Sequence, residues 1–235
     1  MTTMPTKSGE RRARVVAAAG RVIAREGVAA ATTRTIAGEA GVNLATLHSL
    51  FGSKDALLVA VLDQVTGLTI AALARPVLVP RGRHTALAET ATLLWALAAR
   101  EPWLPLARCE LLLYLQRRPG YEPAARAQQR RYLSALAARC RGARAATEGR
   151  AACETTAELL ASTVDGLALY GRLADTTRAH TRLRNQALRA VLALAEGEVP
   201  LRGRTGGSGT RAHQDAVGGR RPATRGAPPT AGTSG

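Results

Sequence analysis

Residues 32–55 constrain the fold more than any other stretch of this chain. Thr32 and Asn43 are residue types that cap helix N-termini, and each stands directly before a short run with apolar residues at helical spacing. Gly41 lies between the two runs, where the first helix has to end, and glycine tolerates the left-handed backbone of such a turn. A helix, a glycine turn and a second short helix form the helix-turn-helix motif, whose second helix fits the major groove of DNA.

The remainder of the chain also favours helices. Apolar residues make up 46% of the sequence and aromatic residues only 3%, so the core must be built mainly from aliphatic side chains. Apolar residues recur at spacings of three and four, which predicts helices over residues 11–26, 33–40, 44–50, 55–73, 85–100, 106–116, 122–141, 151–173 and 178–196. We therefore predict an all-α fold, with an N-terminal three-helix helix-turn-helix domain followed by a C-terminal helical bundle.

Composition and charge divide the chain into four parts. We predict a disordered arm over residues 1–9, a helix-turn-helix DNA-binding domain over 10–54, a helical core over 55–198 and a disordered basic tail over 199–235. The net charge is +16, and residues 1–54 (eight basic, three acidic) and 199–235 (six basic, one acidic) each contribute +5. A basic surface favours nucleic-acid backbones, although a coding bias toward arginine is an alternative source of part of the excess.

A resemblance to TetR-type bacterial transcription regulators (the TetR/AcrR family) rests on the same stretch. It is carried by the run TTRTIAGEAGV, the capping Asn43, the Ala-Thr-Leu that follows Leu44, then Phe51 and the run GSKDALL. It covers residues 10–196 and implies a ligand-binding and dimerisation role for the helical core. It also implies phosphate contacts by Thr33, Thr46, Ser49 and Lys54, a base contact by Arg34, and groove contacts by Leu44, Ala45 and His48.

The predicted recognition helix departs from the usual family pattern in several places. Position 48 is commonly Tyr and is His here, Leu44 stands where a polar residue is frequent, and larger side chains are common at Ser49. Leu44 and Ala45 can pack on thymine methyl groups but cannot form side-chain hydrogen bonds, so direct readout would rest mainly on Arg34 and His48. Alternatively, Leu44 packs on a neighbouring helix, His48 touches only a phosphate, and Arg34 is an ordinary surface charge.

The last two predicted helices, 151–173 and 178–196, each carry an apolar stripe and small residues that allow close approach. They can bury these stripes within one chain, or pair with the same helices of a second chain in a symmetric four-helix interface. The residues by themselves leave both arrangements open, and the family resemblance favours the homodimer. Many helix-turn-helix dimers read two half-sites about 34–36 Å apart.

The sequence contains no recognisable catalytic or metal-binding motif. It has no GxSxG, P-loop, HExxH or glycine-rich dinucleotide turn, its four histidines are dispersed, and its three cysteines form no CxxC or CxxH pair. We therefore expect no enzyme activity, no cofactor and no metal. The N-terminus lacks a signal-peptide core and no apolar run approaches the roughly 20 residues that span a bilayer, so we expect a cytoplasmic protein with no membrane partner.

We expect a ligand pocket in the helical core, because the few aromatic residues concentrate there. Pockets between bundle helices are mostly apolar, with a few polar groups that orient the ligand. The candidate residues, on or beside helices that should face one another, are Trp95, Trp103, Cys109, Glu110, Tyr114, Asp165 and Tyr170. An aromatic residue on an amphipathic helix can equally be an ordinary core residue. The largely apolar set would suit a hydrophobic effector.

The sequence and the resemblance together predict a homodimeric, sequence-specific transcriptional repressor that binds a double-stranded DNA operator and is released by a small hydrophobic effector. A ligand-binding or interaction protein with a degenerate reading head is one alternative, and it would show no preference for any DNA sequence. A non-specific basic DNA binder, driven by the arginines and the tail, is a second. An enzyme whose site is assembled from distant residues is a third.

Overall fold

The computed structural model describes residues 6–74, 83–142, 150–170 and 177–196. Within these ranges the chain forms nine helices and no strand. The helices are α1 (Lys7–Ala30), α2 (Thr33–Ala40), α3 (Leu44–Phe51), α4 (Lys54–Leu73), α5 (Arg83–Arg100), α6 (Trp103–Gln116), α7 (Glu122–Gly142), α8 (Arg150–Tyr170) and α9 (Thr177–Glu196). The all-α prediction is confirmed, whereas the predicted tail over 199–235 lies outside the described residues.

α1 begins earlier than the sequence pattern indicates, and a short segment continues it beyond the predicted end. Thr6 is its N-cap, and the Thr6 hydroxyl accepts a hydrogen bond from the backbone N–H of Gly9 over 3.2 Å. Residues 7–9, which the sequence placed in a disordered arm, are therefore helical. The helix continues to Ala30 across a break at Gly27, where φ is 79° and ψ is 173°. The regular helix therefore ends at Gly27, as predicted, and residues 28–30 form a short continuation beyond this kink.

Local signals fix the helix-turn-helix motif. The Thr32 hydroxyl accepts a hydrogen bond from the Thr35 N–H and the Thr35 hydroxyl accepts one from the Thr32 N–H, which forms a capping box at the start of α2. Gly41 ends α2 in the left-handed conformation, with φ 63° and ψ 39°. Asn43 then caps α3 by accepting a hydrogen bond from the Thr46 N–H over 2.7 Å. The predicted motif is confirmed, and α3 is its second helix.

α4 leads from this motif into the rest of the protein. The Ser53 hydroxyl caps it by accepting a hydrogen bond from the Ala56 N–H over 3.0 Å. Within the described residues α4 is the one helix that is long and apolar enough to cross a membrane by length and composition alone, although Asp63 interrupts its apolar run. The α4 residues in the hydrophobic core are Leu57, Leu58, Val61, Leu62 and Val65. A buried core helix meets the same length and composition test.

Two hydrophobic cores hold the helices together, and they do not follow the predicted domain boundary after residue 54. The first core joins the N-terminal head, by which we mean α1–α3, to the first part of α4 and to α6. Leu104, Leu111 and Leu115 are the α6 leucines in this core. The second core joins α5, α7, α8 and α9, together with Leu73 at the end of α4. α6 is therefore packed directly against the N-terminal head.

The apolar stripes of α8 and α9 are buried in part within the single chain. The positions that belong to the second core include Leu160, Val164 and Leu167 of α8 and Val191 and Leu192 of α9. In contrast, Leu169 and Leu183 are 44% and 49% exposed, and Tyr170 is 65% exposed. One chain thus covers most of both stripes and leaves an apolar remainder at the surface of these two helices.

Candidate nucleic-acid interface and ligand pocket

One side of α3 is buried, and the opposite side faces solvent. Leu47 is completely buried in the first core and fixes the orientation of the helix. The exposed side chains are Leu44, Ala45, His48 and Ser49, and Thr46 is half-buried. The spacing of the exposed residues places them on one face of the helix. Leu44 is 44% exposed, so this side chain is available to an external partner.

Thr33 and Arg34 lie in the first turn of α2, directly after the capping residue Thr32. The Arg34 side chain is exposed and Thr33 is half-buried. The first turn of a helix carries backbone N–H groups without intrahelical partners and the positive end of the helix dipole. This position therefore suits both a guanidinium that reaches outward and an anion that approaches the helix.

Two arginines of α1 hold α2 in place. Arg21 Nε and Arg25 Nη2 donate hydrogen bonds to the two carboxylate oxygens of Glu39 over 2.8 and 2.9 Å. The hydrogen bonds from Arg25 and Arg21 lower the pKa of the Glu39 carboxyl from 4.5 to about 2. These exposed ion pairs and the buried Ile36 of α2 connect α2 to α1.

Lys54 lies at the start of α4, beside the C-terminal part of α6. Its ammonium is 5.5 Å from the centre of the Tyr114 ring, and the Tyr114 hydroxyl donates a hydrogen bond to Asp55 over 2.9 Å. Arg118 donates to the same hydroxyl over 2.8 Å. Burial, followed by the hydrogen bond to Asp55, raises the pKa of Tyr114. Tyr114 therefore positions the first turn of α4, where the predicted phosphate contact stands.

α6 and the turn after it contact the N-terminal part of the chain at two further points. The Glu110 carboxylate accepts a hydrogen bond from the Val28 N–H, the first residue after the break at Gly27. The hydroxyl of Tyr121 forms a hydrogen bond of 2.8 Å with that of Ser53, the cap of α4. Three polar contacts thus connect α6 and the following turn to the C-terminal end of α1 and the start of α4.

The predicted ligand residues are not brought together in one pocket. Asp165 lines a cavity of about 20 Å³ whose walls come from α4, α5, α6, α7 and α8. Glu110 and Tyr114 make the contacts to the N-terminal part of the chain described above. Trp103 donates a hydrogen bond to Glu101 over 3.1 Å and packs near Gly20 of α1.

The other predicted ligand residues lie elsewhere. Trp95 is buried beneath the guanidinium of Arg184 from α9, which is 5.0 Å from its ring centre. Cys109 is half-buried, and burial raises the pKa of its thiol. Tyr170 is exposed at the end of α8. Within the described part of the chain, no group of three or more His, Cys, Asp and Glu side chains is placed to hold a metal ion.

Arg108, the buried cation in the wall of this cavity, was not among the residues predicted from the sequence. It is 4% exposed and forms an ion pair with Asp165. Its position on α6 continues the spacing of the buried Leu104, Leu111 and Leu115, so an arginine stands within an apolar stripe. Charged side chains are almost never fully buried without a partner, and this irregularity is the sequence signal that could have identified the residue.

Comparison with known proteins agrees with this geometry. Residues 15–61, which contain α2, α3 and the capping residues, match the family model for bacterial regulatory proteins of the tetR family. The chain is 31% identical over 112 residues to the nicotine-responsive transcriptional repressor HdnoR of Paenarthrobacter nicotinovorans. That match spans 48% of this chain and 58% of the length of HdnoR.

Solved structures extend the similarity along the chain. A member of the TetR family from Streptomyces coelicolor A3, SCO1917, is 30% identical with a TM-score of 0.59, and the match covers 77% of this chain and 97% of SCO1917. The multidrug binding protein EbrR complexed with imidazole is 29% identical with a TM-score of 0.55, covering 80% of this chain and 94% of EbrR. Because the similarity to SCO1917 extends over nearly its whole length and the helix-turn-helix matches the family model, this chain belongs to the TetR family of bacterial regulatory proteins.

Proposed function

We propose that the chain is a homodimeric transcriptional repressor that binds a double-stranded DNA operator through α3 and the N-termini of α2 and α4. The observation that supports this most directly is the two-sided character of α3. Leu47 anchors the helix in the core, and the opposite face carries exposed side chains that no fold requirement explains. An exposed helix of this kind, fixed by caps at its N-terminus, fits the major groove.

The proposed base contacts come from α3 and from Arg34. Leu44 and Ala45 offer apolar contacts to thymine methyl groups, and His48 offers a ring nitrogen to a base edge. Arg34 can donate two hydrogen bonds to guanine, the commonest specific contact in the major groove. We therefore expect sequence preference at only a few base pairs of the operator, which include thymines and at least one guanine.

The proposed phosphate contacts surround these base contacts. Thr33, Thr46 and Ser49 provide hydroxyl groups, and Lys54 provides a charge in the first turn of α4. The N–H groups of that turn favour the same anion. Residues 1–54 carry a net charge of +5, which would attract DNA over distances longer than these contacts.

Release by a small hydrophobic effector is the proposed regulation. Two relatives support regulation by a small organic molecule, without fixing its class: HdnoR is a nicotine-responsive repressor, and EbrR has been crystallised with imidazole and with ethidium, the latter complex being 27% identical with a TM-score of 0.57. An effector can shift an equilibrium between DNA-binding and released states only by its difference in affinity for the two, typically about 1–3 kcal/mol. The bundle around the cavity at Asp165 is the proposed effector domain.

Dimerisation is proposed through α8 and α9. The exposed Leu169, Tyr170 and Leu183 lie on these two helices and supply apolar surface for the same helices of a second chain. Two chains related by a two-fold axis would place two copies of α3 on successive half-sites of one operator. A cytoplasmic location follows from this proposal, because the operator DNA is there.

Fluorescence anisotropy with DNA from upstream of the coding region, compared with a scrambled duplex at several salt concentrations, tests the proposal. We expect a preference of about 10³-fold or more for the operator. Equal binding to both duplexes with a steep salt dependence would instead indicate a non-specific basic DNA binder. Absence of binding to any genomic duplex, in a protein that still binds small molecules, would indicate a degenerate reading head.

A further inference from the structure

The ion pair between Arg108 and Asp165 joins α6 to α8 inside the bundle. The side chain of Arg108 is 5% exposed and that of Asp165 is 19% exposed. Both line the cavity of about 20 Å³ whose remaining walls are mostly apolar. A buried ion pair is weak evidence for a stabilising role, because apolar residues of similar volume often serve equally well or better. A charged pair at this position is therefore better explained by recognition of a ligand than by a contribution to stability.

The two partners are held very differently. Besides Asp165, Arg108 donates a hydrogen bond to Gln129 over 2.9 Å, and its guanidinium lies 4.3 Å from the centre of the Tyr132 ring. Tyr132 is 1% exposed, so this side of the guanidinium is enclosed by rigid core. Asp165 is the more accessible partner, whereas the arginine cannot leave without breaking its other contacts.

We propose that the effector carries a carboxylate, which replaces Asp165 on the guanidinium of Arg108, and an apolar body, which occupies the space between α5, α6 and α8. This inference rests on the proposed function, since it names the chemical class of the effector. Arginine binds a carboxylate through paired hydrogen bonds, so a ligand carboxylate reproduces what Asp165 supplies. The apolar side chains that would contact the rest of the ligand are Leu94, Leu97, Leu104 and Val164.

The expected charge of the ligand follows from the energetic cost of replacing one partner of the ion pair by a ligand group. An anionic ligand leaves Arg108 paired and returns the Asp165 carboxylate toward water. A cationic ligand on Asp165 would leave a buried guanidinium without its counter-ion and beside a second positive charge, which is strongly unfavourable. An uncharged ligand would have to leave the ion pair in place and use only the apolar walls.

Binding also requires the cavity to enlarge. A volume of about 20 Å³ holds roughly one water molecule, whereas ligand pockets are typically about 300–1,000 Å³. Opening it by displacing Asp165 breaks the link between α6 and α8. The same α6 carries Glu110 and Tyr114, which contact Val28 and Asp55, so a shift of α6 reaches the N-terminal head.

Three probes that share an unbranched ten-carbon chain but differ in head group test the proposal: decanoate, decanol and decyltrimethylammonium at equal submicellar concentrations. Thermal unfolding and operator binding are measured with the full-length protein. We expect decanoate to raise Tm and to weaken operator binding by at least about tenfold, with much smaller effects of the other two probes. Circular dichroism checks that none of the probes unfolds the protein.

Variants of the ion pair then test whether the effect of decanoate on Tm and on operator binding depends on Arg108 and Asp165. Asp165→Asn removes the internal competitor and should tighten decanoate binding several-fold. The double variant Arg108→Met/Asp165→Leu replaces the pair by apolar residues that a bundle core tolerates, and decanoate should lose its advantage over decanol. The matched control is Arg131→Gln/Asp63→Asn, which removes the exposed ion pair between α7 and α4 and should leave the preference unchanged.

Three results would overturn the inference: a double variant that keeps the preference for decanoate, a wild type that prefers decyltrimethylammonium and loses this on Asp165→Asn, or a wild type that does not discriminate among the probes. If operator binding is intact in these cases, the repressor function stands and only the ligand class is wrong. If no operator is bound, the function fails, and the Tm measurements still decide whether Arg108 binds carboxylates.

Discussion

The carboxylate of Glu110 accepts a hydrogen bond of 2.8 Å from the backbone N–H of Val28, a residue 82 positions earlier in the chain. The break at Gly27 takes this N–H out of the regular helical pattern, and Val28 itself is 4% exposed. A buried N–H without a partner is costly, so α6 supplies the acceptor that α1 lacks. The kink of α1 and the position of α6 thus depend on each other. The hydrogen bond that joins them lies where the N-terminal head meets the bundle.

Replacing Glu110 by Ala should lower the free energy of unfolding by about 1–3 kcal/mol, because the Val28 N–H loses its acceptor. Glu110→Gln keeps an oxygen in place and should cost less than half as much. Urea denaturation of the two variants and the wild type measures the difference. Equal stability of Glu110→Ala and the wild type would show that this hydrogen bond contributes nothing in solution.

Gly27→Ala should lower the free energy of unfolding by about 1–3 kcal/mol, because φ 79° with ψ 173° is a region that essentially only glycine occupies. A Cβ at this position would also lie 3.1 Å from Oε2 of Glu110. Gly38→Ala is the matched control: it lies on an exposed part of α2 with nothing within 4 Å of the added Cβ. That substitution should stabilise the protein by about 0.5–1 kcal/mol. Thermal or urea denaturation of both variants distinguishes the expected loss of stability from the expected gain.

Arg34→Ala should weaken operator binding by about 1–3 kcal/mol and relax the preference at one base pair. Anisotropy titrations against a set of operators with single base-pair changes identify that position, because the variant no longer distinguishes its bases. Arg141→Ala provides the control, since Arg141 is an exposed arginine in the last turn of α7 and has no proposed role in DNA binding. If Arg34→Ala retains both the affinity and the base preference, Arg34 contacts no base.

Lys54→Ala should weaken binding to operator and scrambled DNA alike, and the slope of log affinity against log salt should become shallower by about one. Lys54→Arg keeps the charge and should keep most of the slope. The ring of Tyr114 below the ammonium remains in both variants, so the start of α4 stays supported. A loss confined to the operator would contradict the phosphate assignment and would place Lys54 among the base contacts.

The ion pairs of Glu39 should make stability depend on pH in acid. Because the folded-state pKa is lowered from 4.5 to about 2, their contribution is complete above the unfolded-state pKa and is lost as the pH falls through the folded-state pKa. Glu39→Gln should therefore be less stable than the wild type at neutral pH, and the gap should close as the pH falls toward about 2. Chemical denaturation across this range, at low and high salt, measures the gap. A gap that does not change with pH would mean that the carboxylate charge is not involved.

The helix-turn-helix could be predicted from the sequence because its signals are local. Thr32, Asn43 and Ser53 each cap a helix by accepting a hydrogen bond from the backbone N–H of a residue three positions later, and Gly41 takes the left-handed conformation because it has no Cβ. Such interactions are complete within four or five residues of the chain. The exposed residues of α3 were predictable for the same reason, since helical periodicity separates Leu47 from its solvent-facing neighbours.

The tertiary structure decided which elements cover one another. Periodicity shows that α6 has an apolar face, but it does not show that this face enters the core of the N-terminal head. For this reason Glu110 and Tyr114, predicted as pocket residues, instead contact Val28 and Asp55. The pairing of Arg108 with Asp165 joins residues 57 positions apart on different helices. The sequence by itself determined the helices, their caps and the exposed face of α3; only packing decided how α6 connects the bundle to the head, because contacts between distant residues depend on the whole fold.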